Sequence, residues 1–271
     1  MNPDLAALAG KYRTQGFCSP VALLPEDEVS AHRLRFDEAE AAMGDLHYLS
    51  KIHTVFSSAL QMALCPTALD VVEALIGPDI LLYNSMFIVK APQSETFVSL
   101  HQDLTFWGFS SDAMVSMWLA LTPATELSGC MHMVPGSHLG GPHPHRFIPD
   151  PNNLLYQDQH VDGETVASRE PCPLLPGQAS FHHGWTMHES GPNLTDQPRI
   201  GLNVHYLSPS MHKVKGWRGS ALLVRGKDDH RHFDEDELAT YDFEPSALMR
   251  RSRLDDLHKR TAAVPNDAAP L

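Results

Sequence analysis

The sequence predicts a mainly β protein with flanking α-helices, a jelly roll or sandwich carrying an N-terminal helical part. Three observations carry that expectation. Up to about residue 79 apolar residues recur at helical spacing, whereas from Ile80 they alternate or run in short blocks, as strands do. The strand-like runs are short and separated by turn residues, which suits packed antiparallel sheets better than a doubly wound parallel one. No G-x-G-x-x-G or P-loop motif marks a nucleotide-binding α/β fold.

In chain order, residues 5–15 read as a short helix and Gly16-Phe17-Cys18 starts a strand. Pro25-Glu26-Asp27-Glu28 opens a second helix, with proline in the first turn and acids at the positive end of the dipole. Val29, Phe36 and Met43 recur along it, with Ala39 between the last two, and Gly44 stops it. A third helix is expected near His53–Leu64 and a fourth over Thr67–Ile76, closed by Gly77-Pro78. These helices, residues 1–79, are read as a buttress outside the sheets. Strands are expected over Ile80–Val89, Phe97–His101, Ala113–Leu121, Cys130–Val134, Gln178–His182 and Ile200–Leu207, giving a core over about 80–208. Leu139–Pro171 is a long insertion rich in Pro, His, Asn and Asp, and its place after Pro135-Gly136-Ser137-His138 makes it a lid. Beyond Pro209 the chain is polar and charged, an extension over 209–271 whose last stretch, Thr261–Leu271, is expected to fray. A single domain of 271 residues accommodates all of this.

Composition narrows the function. Hydrophobic content of 42% and charged content of 20% describe an ordinary globular chain. The formal net charge of -13 argues against a general nucleic-acid binder and against docking on anionic lipid, but says little about a small-molecule substrate, whose pocket can be locally cationic. No apolar run reaches the roughly 18 residues of a membrane span, and Met1-Asn2-Pro3-Asp4-Leu5 lacks the basic start of a secretory signal. Cys18, Cys65, Cys130 and Cys172 lie far apart with no C-x-x-C pair, which fits a reducing cytoplasm. Oligomeric state is not legible.

The chemistry concentrates in Ser99-Leu100-His101-Gln102-Asp103-Leu104. Residues two apart on extended backbone share a side, so His101 and Asp103 converge on one point while Gln102 faces away. An imidazole and a carboxylate are two corners of the 2-His-1-carboxylate face used by non-haem iron oxygenases. His182, His183, His188 and His205 are candidates for the third, and strand parity does not separate His182 from His188. The segment His188-Glu189-Ser190-Gly191-Pro192-Asn193 is followed, eleven residues after His188, by Arg199. A guanidinium there can hold a carboxylate bidentately, and the apolar Ile200-Gly201-Leu202 that follows points it inward. Gly129, Gly136, Ser137 and Asn193 read as structural, and Pro142-His143-Pro144-His145 as a solvated loop.

With Met86-Phe87-Ile88-Val89-Lys90, Met117-Trp118-Leu119-Ala120, Ser128-Gly129-Cys130 and Val134-Pro135-Gly136-Ser137-His138, these segments make the chain resemble the phytanoyl-CoA dioxygenase-like Fe(II)/2-oxoglutarate oxygenases from about Tyr83 to Leu207. The resemblance implies a double-stranded β-helix, the cupin-like jelly roll, with the N-terminal helices outside it. It implies Fe(II) held by His101, Asp103 and His188, because only His188 stands in the family pattern H-x-S-x-x-N. It further implies 2-oxoglutarate and O2 as co-substrates. Arg199 is the implied 2-oxoglutarate anchor, with Ser190, Trp118, Met86 and, by alignment of Leu49-Ser50-Lys51-Ile52-His53, Lys51 as its neighbours. The implied reaction is hydroxylation of an unactivated C–H with release of succinate and CO2. Halogenating relatives lack the carboxylate ligand, so Asp103 disfavours halogenation. A jelly-roll binding protein without chemistry is disfavoured by the retained ligands and Arg199. A hydrolytic zinc site lacks a general base beside the H-x-D. Phytanoyl-CoA itself is not implied, since no obvious cationic cluster awaits the CoA phosphates, and the substrate stays open.

Overall fold

A computed structural model describes residues 4–155, 159–161 and 168–262. Helix α1 (Leu5–Gln15) is started by Asp4, whose carboxylate accepts the Ala7 N–H at 3.0 Å, and stopped by Gly16 in the left-handed region. Strand β1 (Phe17–Ala22) and α2 (Glu26–Met43) follow, the latter ending at Gly44. The expected third helix is split into a 3-10 turn, Ile52–Thr54, and α3 (Ser57–Ala63). Asp242 accepts the Ser57 N–H at 2.7 Å, placing a carboxylate at a helix start that local sequence does not announce. Helix α4 (Pro66–Ile76) then leads into β2 (Ile80–Lys90).

The remaining strands are β3 (Val98–His101), β4 (Met114–Ala120), β5 (Met131–Met133), β6 (His145–Phe147), β7 (Gln159–Val161), β8 (Glu170–Cys172), β9 (Gln178–His183), β10 (His188–Ser190), β11 (Arg199–Leu207), β12 (Ser220–Arg225) and β13 (Asp234–Glu235), followed by α5 (Pro245–Ala262). They form a seven-stranded sheet in the order β1-β9-β4-β11-β2-β12-β13 and a four-stranded sheet in the order β3-β10-β5-β8. From β2 to β11 the chain shuttles between the two sheets through antiparallel pairings, which is the winding of the expected double-stranded β-helix.

Strand parity divides β11 between two tasks. Ile200, Leu202, Val204 and Tyr206 are buried with Val71 and Val72 of α4 and Met62 of α3, so the helices cover the outer face of the large sheet. Each such side chain contributes about 1.5–3 kcal/mol of burial. Arg199, Asn203 and His205, on the other parity, line a cavity between the sheets.

The structure departs from the expected boundaries at both ends. Strand β1 enlarges the large sheet at one edge and β12 with β13 at the other, so the sheet reaches beyond 80–208. Strand β12 is stabilised by pairing Leu222 with Leu82 and Leu223 with Leu81, long-range contacts that a four-residue apolar run among charges does not reveal. The insertion holds a 3-10 turn, Ser137–Gly140, and the β6–β7 pair, and brings Leu154, Leu155 and Gln159 to the cavity. Its residues 156–158 and 162–167 lie outside the described residues, as do 263–271 of the terminal stretch, although α5 runs on to Ala262. No single helix among the described residues is long and apolar enough to cross a membrane. Helices α3 and α4 pass only as a pair bent by 51°, and both contribute residues to the core under the sheet.

Candidate metal centre and co-substrate pocket

Strand β3 ends at His101, but Gln102 keeps extended angles (φ -125°, ψ 127°) before Asp103 opens a 3-10 turn. His101 and Asp103 therefore share a side, and Gln102 points away. Its amide donates to the carbonyls of Trp185 (2.7 Å) and Gly141 (2.9 Å) and accepts from the His143 N–H at 2.7 Å, pinning the surrounding loops. His188, the first residue of β10, is the register partner of His101. Directly opposed residues put their side chains on one face, and the two imidazole centroids stand 4.1 Å apart. One ligand atom from each of His101, Asp103 and His188 lies within 4.8 Å of the others.

Hydrogen bonds prepare these atoms for a cation. His101 Nδ1 lies 2.8 Å from the Ser99 carbonyl and His188 Nδ1 lies 3.0 Å from the Thr186 carbonyl. A carbonyl only accepts, so both Nδ1 atoms carry the proton and both Nε2 lone pairs face Asp103. Asp103 Oδ1 stands 3.4 Å from His101 Nε2 and 3.8 Å from His188 Nε2. Its other oxygen, Oδ2, accepts from Ser116 Oγ at 2.6 Å and faces His182 Nε2 at 3.1 Å and His205 Nε2 at 3.7 Å. Two of the alternative third ligands thus orient the carboxylate from behind. His183 points elsewhere, towards Asp112 at 3.6 Å. Burial opposes the charge of Asp103, but the imidazoles gathered around it outweigh that cost and hold its pKa well below the usual range. Burial, then the neighbouring His101 and His182, pushes His188 well below its ordinary value, favouring the neutral imidazole.

Arg199 opens β11 and is 2% exposed. Its Nη1 donates to the Gly129 carbonyl and its guanidinium stacks 4.9 Å from the Trp118 ring centre. Its Nε has no hydrogen-bond partner among the described residues. Burial brings its pKa down to about 10, so the cation persists at neutral pH. Gly201, the next inward residue, makes room for that indole: a Cβ there would stand 2.1 Å from Trp118 Cζ2. Arg199, Trp118, Met86 and Ser190 line the cavity of about 390 Å³ that also exposes His101, Asp103 and His188.

Lys51 is not among the residues that line this cavity. It sits in the left-handed region (φ 60°), and its Nζ donates to Asp236 Oδ2 at 2.8 Å and to the Ser220 carbonyl at 2.7 Å. The carboxylate brought in after β12 captures the ammonium on the far side of the loop, and the neighbouring Ser50 lines the cavity instead. The buried basic side chain beside Arg199 is Lys90, its register partner on β2. A lysine ending an apolar strand, on the same parity as Met86, was the available signal. The outer walls bring in Tyr48, Leu154 and Leu155 from loops and Asp255 and Lys259 from α5, for which the sequence carried no signal.

A jelly roll holding two histidines and a carboxylate on one cavity, beside a buried arginine, is the arrangement of a non-haem iron oxygenase. The sequence profile of the phytanoyl-CoA dioxygenase (PhyH) family matches residues 12–201, and the chain belongs to that family. The family uses Fe(II), 2-oxoglutarate and O2. A probable phytanoyl-CoA dioxygenase of Caenorhabditis elegans is 27% identical over 78% of this chain and 70% of its own length. The peroxisomal phytanoyl-CoA dioxygenase of Homo sapiens is 31% identical over 55% of this chain, and the match spans only 46% of the human enzyme. The apo structure of the non-heme monooxygenase ThoJ superposes with a TM-score of 0.82 at 30% identity, covering 94% of this chain and 97% of that one. The donor set and the unpartnered Arg199 Nε fit iron and an anionic co-substrate.

Proposed function

We propose that this chain is an Fe(II)/2-oxoglutarate-dependent dioxygenase that hydroxylates an unactivated C–H bond of a small molecule, with release of succinate and CO2. The observation that carries the reading is the opening of the His101, Asp103, His188 cluster and of buried Arg199 into one cavity of about 390 Å³. His101 and His188 would hold iron through Nε2 and Asp103 through Oδ1, the atoms their hydrogen bonds leave free. Bound iron, with the keto acid and O2, supplies the oxidation itself. Ser116 and His182 occupy the second oxygen of Asp103 and keep it a one-atom ligand. Arg199 would pair with the distal carboxylate of 2-oxoglutarate across the face of Trp118, with Ser190 beside it.

The apolar walls formed by Ile88, Val98, Leu154 and Leu155 keep water from the reacting face and favour a substrate with an apolar body. Asp103 fills the place that halide would need, so hydroxylation rather than halogenation is the outcome. Four free, buried cysteines suit a reducing cytoplasm as its working place. The test is a candidate-substrate screen that reads substrate-dependent 2-oxoglutarate consumption by mass spectrometry. Succinate should appear in equal amount to a product heavier by one oxygen atom, and succinate without oxygenated product for any candidate would refute the hydroxylase reading.

A further inference from the structure

Lys90 is 0% exposed at the inner end of β2. Its Nζ reaches three oxygens: Ser190 Oγ at 2.7 Å, the Ser190 carbonyl at 3.1 Å and the Gly191 carbonyl. All three are uncharged. The charged or titratable groups that face it are Arg199 from β11, Cys130 just before β5 and, from the segment before β2, His47. Two basic side chains thus lie side by side in the interior, with no carboxylate among the groups that act on Lys90.

The hydrogen-bond inventory gives this arrangement a direction. An ammonium has three donors and no acceptor, so a charged Lys90 fills all three oxygens. Ser190 Oγ then accepts from Lys90, and its own proton is free for the cavity that Ser190 lines beside Arg199. A neutral amine has a lone pair to satisfy. The carbonyls have no proton to give, so the Ser190 hydroxyl would turn its proton back to Nζ.

We propose that Lys90 is a positioning residue of the co-substrate pocket: as an ammonium it turns the Ser190 hydroxyl proton towards an anion beside Arg199, and binding of the dicarboxylate draws one proton onto Lys90. This rests on the reading of Arg199 and Ser190 as the 2-oxoglutarate subsite. Burial, then the adjacent Arg199, brings Lys90 down to about 6, so without an anion it is mostly neutral at neutral pH. A carboxylate on Arg199 offsets that repulsion and raises it. Between the two values binding takes up a proton, and affinity falls as pH rises, by at most about tenfold per pH unit.

The test is calorimetric titration of 2-oxoglutarate into oxygen-free, Fe(II)-loaded protein at about pH 7.5, in two buffers of different ionisation heat. The wild type should take up close to one proton per molecule bound. Lys90→Met should abolish the uptake, flatten the pH dependence and weaken binding about ten- to a hundredfold, the range for a lost charge-assisted hydrogen bond. In a double-mutant cycle Ser190→Ala should add little to Lys90→Met, because one acts through the other. Additive losses, or wild-type binding that exchanges no proton and is flat with pH, overturn the inference, and the wild-type measurement needs no variant to fold. If 2-oxoglutarate fails to bind the wild type, or binds Arg199→Ala equally well, the subsite reading itself falls and takes the inference with it.

Discussion

Replacing Arg199 with alanine tests the co-substrate pocket most directly. The guanidinium is 2% exposed and stacked on Trp118, so water screens its charge little. Removing it leaves a bound carboxylate buried without its counter-ion, a loss of about 2–5 kcal/mol. At about 1.4 kcal/mol per tenfold, the dissociation constant of 2-oxoglutarate should rise roughly thirtyfold to several thousandfold. The Gly129 carbonyl also loses its donor, which adds a stability loss of about 1–3 kcal/mol visible in denaturant melts. Arg199→Lys should be nearly as harmful to binding, since a point ammonium cannot reproduce the fork. Iron affinity should hardly change, because the guanidinium is not among the ligand atoms. The assay is titration of 2-oxoglutarate into oxygen-free, Fe(II)-loaded protein, followed by the metal-to-ligand charge-transfer band. Unchanged binding in Arg199→Ala would refute the assignment and move the anchor to Lys90, since Asp236 already holds Lys51.

His188→Ala should abolish stoichiometric Fe(II) binding, measured by metal analysis after desalting, and retention of full iron content would displace it as a ligand. Ser116→Ala frees the outer oxygen of Asp103 and should weaken iron binding by about 10–100-fold in a competition titration, with 2-oxoglutarate specificity unchanged. Lys51→Met strands a buried carboxylate and should lower unfolding free energy by about 3–5 kcal/mol, while iron-loaded protein keeps its 2-oxoglutarate affinity. Burial opposes the Asp236 charge, but Lys51 and His53 outweigh it and depress its pKa. Its stabilisation is therefore complete above the ordinary aspartate value of about 4 and drains away as pH falls further. Asp236→Asn should lose stability less steeply than the wild type between about pH 4 and pH 2, and identical acid limbs would remove the pair from that role.

Local sequence was enough wherever the chemistry is local. His101 and Asp103 are two residues apart on extended backbone, so their convergence needs no long-range information. Helices α2 and α4 end at the stop signals Gly44 and Gly77 that the sequence displays. What could not be read depends on partners far along the chain. Ser57 starts α3 because Asp242 accepts its N–H, and β12 is a strand because β2 offers an open edge. Asp234-Glu235-Asp236-Glu237 belongs to the polar, charged extension beyond Pro209, yet Asp236 is buried on Lys51 and His53. That contact, 185 residues from Lys51, decided against Lys51 as a pocket residue.

Strand parity gives a more direct route to the buried basic residue beside Arg199. In the β2–β11 register, Lys90 pairs with Arg199, Ile88 with Gly201, Met86 with Asn203 and Asn84 with His205. Of these, Met86, Ile88, Arg199, Asn203 and His205 line the space between the sheets, while Ile200, Leu202 and Val204 on the other parity are buried under the helices. The outer face is apolar because it packs on helices. The inner face can carry Lys90, Asn203, His205 and Arg199 because charged and polar groups there have one another, the loop carbonyls and a ligand to meet. A polar residue on the inward parity of an otherwise apolar strand is therefore stronger evidence for a binding role than its likeness to a short motif. Counted two residues at a time from Met86, that rule reaches Lys90 and never passes through Lys51.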